Sequence, residues 1–252
     1  MDWIFGLAML LGIGPALILM YLGVRNYTYP KVEQPFFSDP TFFILLVVGM
    51  IAGSILFFAM IFMGFASNVV YMVILAAIEA MVLVVVMNLK RFRGKSDSVF
   101  YGYALGLGMS CGLSTGIVFV TASTVETFDA SVIVLVLISV SMSLMLGACG
   151  TTVGEGIARH RVMEFALQAM IPLIIYNILL TVLLQGVELG GIVAYYICAA
   201  VVAVCAYKVL AFLRGAGQHF RIVLPDKGKS CRVLLADDDA LGVCLLYTSP
   251  SP

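Results

Sequence analysis

The stretch "YMVILAAIEAMVLVVVM", residues 71–87, is apolar except for the carboxyl group of Glu79. A helix of this length can cross the hydrocarbon core of a bilayer, which is roughly 30 Å thick. A charged side chain near the middle of such a span costs on the order of 2.5–3.5 kcal/mol on insertion scales. Glu79 therefore requires a hydrogen-bond partner or a water-filled cavity, and it is the first candidate for a functional or helix-bridging residue.

The rest of the chain has the same apolar character. Of its 252 residues, 62% are hydrophobic and 11% are charged, and the mean hydropathy is +1.11. A soluble domain of this length cannot bury so much apolar surface, so we predict a multi-pass protein of the cell membrane, surrounded by the lipid bilayer. Seven segments are long enough to span, at residues 3–24, 41–63, 67–89, 98–120, 130–152, 162–184 and 190–213. The predicted fold is all-α, with a transmembrane domain over residues 1–213, because helices satisfy their own backbone hydrogen bonds in lipid.

All 14 lysines and arginines lie on one side of this arrangement. They fall between segments one and two, three and four, and five and six, and at the end of segment seven and beyond. The remaining loops carry only acids, namely Asp2, Glu126, Asp129 and Glu188. Basic residues concentrate on the cytoplasmic side, so we predict that the N-terminus is outside and the C-terminus is cytoplasmic. The net charge of zero gives no indication of a nucleic-acid partner.

The region after segment seven is more polar, and residues 214–241 are predicted to form a cytoplasmic tail. Within it "CRVLLADDDA", residues 231–240, resembles the first strand and acidic pocket of a receiver domain. Residues 242–252 include "VCLLYTSPSP", which resembles a translated sequencing adapter. We therefore expect the native sequence to stop near Leu241, and we base no functional prediction on the last eleven residues.

Segments four and five contain glycines at small-xxx-small spacing, which allows helices to approach closely. The predicted helix-packing residues are Gly102, Gly106, Gly108, Gly112, Gly116, Gly150 and Gly154. Ser110, Ser114 and Thr115 share segment four with these glycines, and we predict that they hydrogen bond across helices or line a small polar binding cavity.

Segment six places three unusual residues among apolar neighbours: Pro172, Tyr176 and Asn177. Proline removes one backbone hydrogen bond of a helix and so leaves a carbonyl group without its usual donor. Asn177 is a buried amide that needs partners, and Glu79 is a candidate. Tyr176 and Asn177 are therefore predicted binding residues, with interhelical hydrogen bonding as the alternative role.

The sequence lacks the residues that several kinds of catalytic or cofactor site require. The two histidines, His160 and His219, fall outside the predicted spans, and no His/Cys/Asp/Glu spacing fits a metal site. A Ser–His dyad inside the membrane is therefore excluded. Lys208 lies too close to the end of segment seven for a mid-membrane retinal Schiff base. Neither a dinucleotide motif nor a P-loop is present, so no cofactor is predicted.

The order of the small motifs is similar to that of a known family. "AAIEAMVLVVVM", a basic loop, "SDSVFYGYALGLGMSCGLSTG", "LMLGACGTTVGEGIARHR" and "IPLIIYNILL" together resemble the PrsW family of intramembrane proteases. The resemblance covers about residues 71–184. It implies a multi-helix membrane fold, peptidase activity of the glutamic type with Glu79 as a catalytic residue, and a membrane-spanning protein as substrate or partner.

The first two family motifs are incomplete in this chain. The paired-glutamate motif with its following lysine falls on Glu79, Ala80 and Leu83, so only the first glutamate matches. The glycine-rich helix of the family continues through an aromatic residue to a glutamate, and these positions hold Met109 and Leu113.

Both histidines of the family pattern are also absent. The segment ahead of Gly150, where one is expected, reads "SVSMSLML". The final histidine falls on Leu173, although the Tyr176–Asn177 pair is retained. The resemblance therefore predicts the family scaffold without its full catalytic machinery, that is, a pseudoenzyme that binds a transmembrane partner in the former substrate groove.

Three other functions remain open from the sequence. An active peptidase would use Glu79 with Asn177 or with a serine or threonine hydroxyl group. A small transporter or proton-coupled carrier would explain a lone membrane acid, but no internal repeat is evident. A seven-helix sensor would require that the tail continue into a receiver domain.

The charge pattern makes a direct prediction of topology. A reporter fused within residues 90–95 should behave as cytoplasmic, because four of the 14 bases lie in this loop. Paired alkaline phosphatase and fluorescent-protein fusions measure the location. A signal that places this loop outside the cell membrane would contradict the topology.

Overall fold

Six long helices make up the computed structural model over the residues it describes, which are 2–25, 37–64, 68–95, 97–124 and 131–184. All of them belong to one compact unit. The helices are α1 (Asp2–Val24), α2 (Asp39–Phe62), α3 (Val69–Met87), α4 (Ser98–Thr124), α5 (Ser131–Ala158) and α6 (Val162–Leu184). Predicted segment seven, the tail and residues 242–252 lie outside the described residues.

Each of the six helices is long and apolar enough to cross a membrane. The candidate spans are Ile4–Val24, Asp39–Phe62, Val70–Met87, Ser98–Ser123, Leu135–Ala158 and Val162–Thr181. The prediction of an all-helical, multi-pass membrane protein is therefore confirmed for the first six segments. The count of seven and the sidedness of the termini remain predictions.

The helix ends follow from local chemistry. Helix α2 follows an extended Ser38 and has Pro40 in its first turn, where the missing N–H of proline has no intrahelical partner to lose. Helix α3 is capped by Asn68, whose side-chain oxygen accepts a hydrogen bond from the Val70 N–H at 3.0 Å. The chain reverses after α5 through His160, which adopts the left-handed conformation with φ of 59°.

The ends of the predicted basic loops lie together at one end of the bundle. The Gly94 N–H, between α3 and α4, donates to the Ile157 carbonyl in the last turn of α5 at 3.3 Å. The Ser38 N–H, which precedes α2, donates to the hydroxyl of Tyr101 in the first turn of α4 at 3.0 Å. These contacts show that the described ends of the first three predicted basic loops lie at one end of the bundle, and the assignment of that end to the cytoplasm remains a prediction.

Helices α4 and α5 form the centre of the described bundle. Within their spans, 67% of α4 and 78% of α5 are buried, compared with 22% for α1 and α6. Helix α4 packs against α5, α2 and α1, whereas α3 packs mainly against α6, and α6 also contacts α5. Helix α5 therefore connects the α1–α2–α4 group to the α3–α6 pair.

Glycines control the approach of α4 to its neighbours. A β-carbon added to Gly102 or Gly106 would lie closer than 3.0 Å to a carbonyl oxygen of α5, and one added to Gly108 would meet the Leu46 carbonyl oxygen of α2 in the same way. Such distances are incompatible with any side chain. The other predicted helix-packing glycines have equally close neighbours: Gly112 faces α2 backbone, Gly116 the Phe57 ring, Gly150 the Gly102 carbonyl, and Gly154 the Ser98 carbonyl.

Helix α5 extends beyond the predicted end of segment five. The prediction ended the segment at residue 152, where apolar residues give way to "VGEGIARHR", but the helix continues to Ala158. Gly154 packs against α4 and Gly156 packs against Phe165 of α6, so tertiary packing supports the extra turns. Glu155 consequently lies in the last turn of α5, where it forms a salt bridge of 2.8 Å with Arg159.

The glycine contacts predict a sharp difference between two identical substitutions. Gly106→Ala should lower stability by about 1–3 kcal/mol, because its β-carbon would force α4 away from the Leu146 carbonyl of α5. Gly14→Ala should be neutral or slightly stabilising, since a β-carbon there meets nothing within 4 Å. Thermal unfolding in detergent micelles measures both, and equal melting temperatures would contradict the packing.

Candidate functional site

The buried face of α3 leads directly to Glu79. Buried side chains recur every three or four residues along this helix, as expected when one face packs against the protein and the other faces lipid. They are Met72, Leu75, Ala76, Glu79, Ala80, Leu83 and Met87. Glu79 lies in the middle of this face and is only 2% exposed, so its carboxyl group is directed into the bundle and away from lipid.

Helix α6 presents a matching buried face. Its members again follow helical spacing: Ala169, Leu173, Tyr176, Asn177, Leu180 and Thr181. Asn177 lies in the middle of this face and is also 2% exposed. Because α3 and α6 pack against each other, the two polar side chains meet within an otherwise apolar interface.

A direct hydrogen bond joins Glu79 to Asn177. The Asn177 amide Nδ2 donates to Glu79 Oε2 at 3.0 Å, between residues 98 positions apart in the chain. Leaving a buried polar group without a partner costs about 1–3 kcal/mol, so each side chain satisfies a need of the other. We call Glu79 and Asn177 the carboxyl–amide pair.

Hydroxyl groups continue the polar contacts of α6. The Thr181 hydroxyl donates to the Asn177 carbonyl at 2.8 Å, within the same helix. The hydroxyl groups of Tyr176 and Ser141 lie 3.1 Å apart, and either can donate. Tyr176 and Asn177, which are adjacent in sequence, thus connect α6 to two different helices, α5 and α3.

Helix α6 continues without interruption through Pro172. One turn before the proline, the Ala169 carbonyl oxygen accepts a hydrogen bond from the Cys149 thiol of α5 at 3.4 Å. Pro172 leaves the carbonyl group of Gln168, four residues earlier, without its intrahelical donor, so the contact with α5 lies beside that carbonyl group.

Ser110 and Ser114, predicted to hydrogen bond across helices or line a polar cavity, contact other helices on the other side of α5, whereas the buried Thr115 hydroxyl has no hydrogen-bond partner among the described residues. Ser110 is fully buried, and its hydroxyl donates to Leu107 of its own helix at 2.7 Å and lies 3.2 Å from the Ser143 hydroxyl of α5. The Ser114 hydroxyl lies 3.0 Å from the Gly12 carbonyl of α1 and 2.5 Å from the Ser110 carbonyl. The structure thus brings Tyr176 and Asn177 to the α6 interfaces but places Ser110 and Ser114 in the α1–α4–α5 interfaces.

Sequence reasoning missed the serines of α5. Ser139 donates to the Leu11 carbonyl of α1, Ser143 meets Ser110 of α4, and Ser141 meets Tyr176 of α6. The signal was present as hydroxyl residues at every second position in "SVSMS". In a helix, positions two apart point in nearly opposite directions, so such a run serves partners on both sides.

The described residues contain no cluster of three or more His, Cys, Asp or Glu side chains that could hold a metal ion. Apart from Glu79, the acids of the described helices lie in terminal turns: Asp2 and Asp39 at the starts of α1 and α2, Glu155 at the end of α5, and Glu164 at the start of α6. The polar group that the structure places against Glu79 is the Asn177 amide.

Comparisons with protein-family models, with curated proteins and with solved structures found no match.

The carboxyl–amide pair predicts a specific pattern of stability. Asn177→Leu should lower the free energy of unfolding by between about 0.6 and 3 kcal/mol, because it removes the hydrogen bond and leaves the buried Glu79 carboxyl group without this partner. The double variant Glu79→Leu/Asn177→Leu should recover at least half of that loss, since neither polar group then remains. Unfolding of the purified variants in mixed micelles measures both values.

Thr181→Val is the matched control for this experiment. The Thr181 hydroxyl donates to a carbonyl group of its own helix, so this substitution should lower the free energy of unfolding less than Asn177→Leu does. Additive losses in the double variant would show that Glu79 and Asn177 are not energetically coupled.

Proposed function

We propose that this chain is a multi-pass membrane protein of PrsW type that does not cleave its partners but binds the transmembrane helix of another membrane protein. The carboxyl–amide pair is the observation that carries this proposal. Glu79, the residue that the family resemblance marks as catalytic, is buried and shares a hydrogen bond with an amide on the neighbouring helix.

Peptide hydrolysis requires more than one carboxyl group in apolar surroundings. A base must take a proton from water, a second group must protonate the leaving nitrogen, and the developing oxyanion needs donors. Near the middle of α3 and α6, Glu79 is accompanied by Asn177, and the positions that the family fills with acids or histidines hold Ala80, Leu113 and Leu173. This composition favours a structural carboxyl group.

The partner-binding part of the proposal rests on the α3–α6 pair. Its two helices pair their central polar groups with each other, and much of their outer surface is apolar. Exposed apolar side chains include Ile74, Met81 and Val85 on α3 and Leu167, Ile171 and Ile175 on α6, and Gln168 is an exposed polar residue of α6. A hydrophobic helix of a partner protein can pack against such a surface without uncovering a polar group.

A second candidate function is an active peptidase that uses a reduced site. The hydrogen bond between Glu79 and Asn177 favours it, since the carboxylate could take a proton from water while the amide donates to the oxyanion. Both candidates use the same residues, and they differ in whether a substrate is cut.

One experiment separates the two functions. The purified, reconstituted protein should leave a panel of single-span membrane substrates intact, and Glu79→Gln, which keeps the side-chain size and a hydrogen-bonding oxygen, should behave identically. Cleavage is measured by mass spectrometry of the products. Cleavage by the wild type that disappears in Glu79→Gln would establish the peptidase instead.

Binding is tested with the same panel. A photo-crosslinking residue at Met81 or Ile175 should capture single-span segments, whereas the same residue at Ile51, an exposed position of α2, should not. Equal capture at Ile51 would show contact through the bilayer without a specific binding face.

A further inference from the structure

The loop between α3 and α4 carries four bases at one membrane face. Lys90, Arg91, Arg93 and Lys95 are all exposed, and we call them the basic loop surface. The loop connects a span that ends at Met87 to one that begins at Ser98, so these side chains lie within a few residues of the hydrocarbon boundary. This depth is that of lipid headgroups.

The loop is folded onto the bundle. Phe92, in its centre, is only 4% exposed and packs against Tyr101 with ring centroids 5.5 Å apart. The Ser98 hydroxyl donates to the Phe92 carbonyl, and the Gly94 N–H donates to the Ile157 carbonyl at 3.3 Å. Gly94 has φ of 70°, a left-handed conformation that favours glycine. The backbone therefore holds the four bases in defined positions.

Both arginines of this surface are anchored by a subset of their donors. The Arg93 Nε–H points back to Asn88, with the backbone oxygen at 2.9 Å and the side-chain oxygen at 3.0 Å. One terminal nitrogen of Arg91, Nη2, donates to the Thr41 hydroxyl of α2 at 2.9 Å. A guanidinium group carries five N–H donors, so each arginine keeps most of its donors in a fixed orientation.

The four bases of the basic loop surface outnumber the acids of this loop and of the adjoining first turn of α2, which are Asp97 and Asp39. In that part of the chain, salt bridges join Arg159 to Glu155 at 2.8 Å and Arg161 to Glu164 at 3.8 Å, both around the α5–α6 turn. The four loop bases take part in neither. The two arginines of the adjacent turn are thus paired with acids, whereas the loop over residues 88–97 holds four bases and one acid.

These features fit an anion that lies at headgroup depth and whose oxygens accept several hydrogen bonds. A phosphate diester accepts several hydrogen bonds and pairs with a guanidinium in a two-pronged geometry. Thr41, the anchor of Arg91, lies in the first turn of α2, where Asp39 supplies the negative charge that a helix N-terminus favours. We propose that the basic loop surface binds the headgroup of an anionic phospholipid through Arg91 and Arg93.

Lipid titration of the full-length protein in detergent micelles tests this binding. Phosphatidylglycerol should raise the melting temperature more than phosphatidylcholine does. In Arg91→Lys/Arg93→Lys, the apparent affinity for phosphatidylglycerol should fall about tenfold, because lysine keeps the charge but loses the anchored fork of donors. The matched control Arg159→Lys alters an arginine that is already paired with Glu155 and should retain wild-type affinity.

Because lysine keeps the positive charge, the double variant distinguishes a site that depends on arginine geometry from a general attraction of anions to the charged loop. An equal effect of the two lipids, unchanged affinity in the double variant, or an equal loss in Arg159→Lys would each overturn the proposal. The same stabilisation by inorganic phosphate alone would also overturn it, since the site would then not require a lipid. Should the double variant fail to fold, Arg93→Lys decides, because the Arg93 contacts lie within its own loop.

Discussion

The close approach of α4 to two neighbouring helices is the constraint on which the rest of the described structure depends. Gly102 and Gly106 meet α5, while Gly108 and Gly112 meet α2. Positions 106 and 108 are two residues apart and therefore point in nearly opposite directions, so a single helix offers bare backbone on both sides. In lipid, where burial of apolar surface drives helices together only weakly, this contact of backbones supplies much of the attraction.

The α3–α6 interface is built on a different principle. Neither helix contains a glycine, so their backbones do not approach each other in the way that those of α4 and α5 do. Their central contact is instead the hydrogen bond between Glu79 and Asn177. Dispersion between apolar side chains tolerates sliding, whereas a hydrogen bond at 3.0 Å requires one register, and the carboxyl–amide pair therefore specifies how α3 lies against α6.

Helix α5 connects these two systems with its hydroxyl groups. Ser139 and Ser143 face α1 and α4, while Ser141 faces Tyr176. Hydroxyl contacts thus lie on both sides of α5, towards α1 and α4 on one side and towards α6 on the other. In the loop between α3 and α4, Arg91 and Arg93 likewise use only some of their guanidinium N–H groups for contacts within the protein. Polar residues in this protein both position helices and leave selected groups for further contacts.

The sequence by itself determined the first six membrane helices, because an apolar run about twenty residues long can satisfy its backbone in lipid only as a helix. It also drew attention to Glu79 and Asn177, since isolated polar groups in such runs need partners. It did not determine that α5 continues to Ala158, because that extension depends on packing against α4 and α6. Nor did it determine that Ser110 and Ser114 connect helices away from Glu79, or that Glu79 meets Asn177. Which faces meet depends on the rotation of each helix and on its neighbours, and only the tertiary structure decides both.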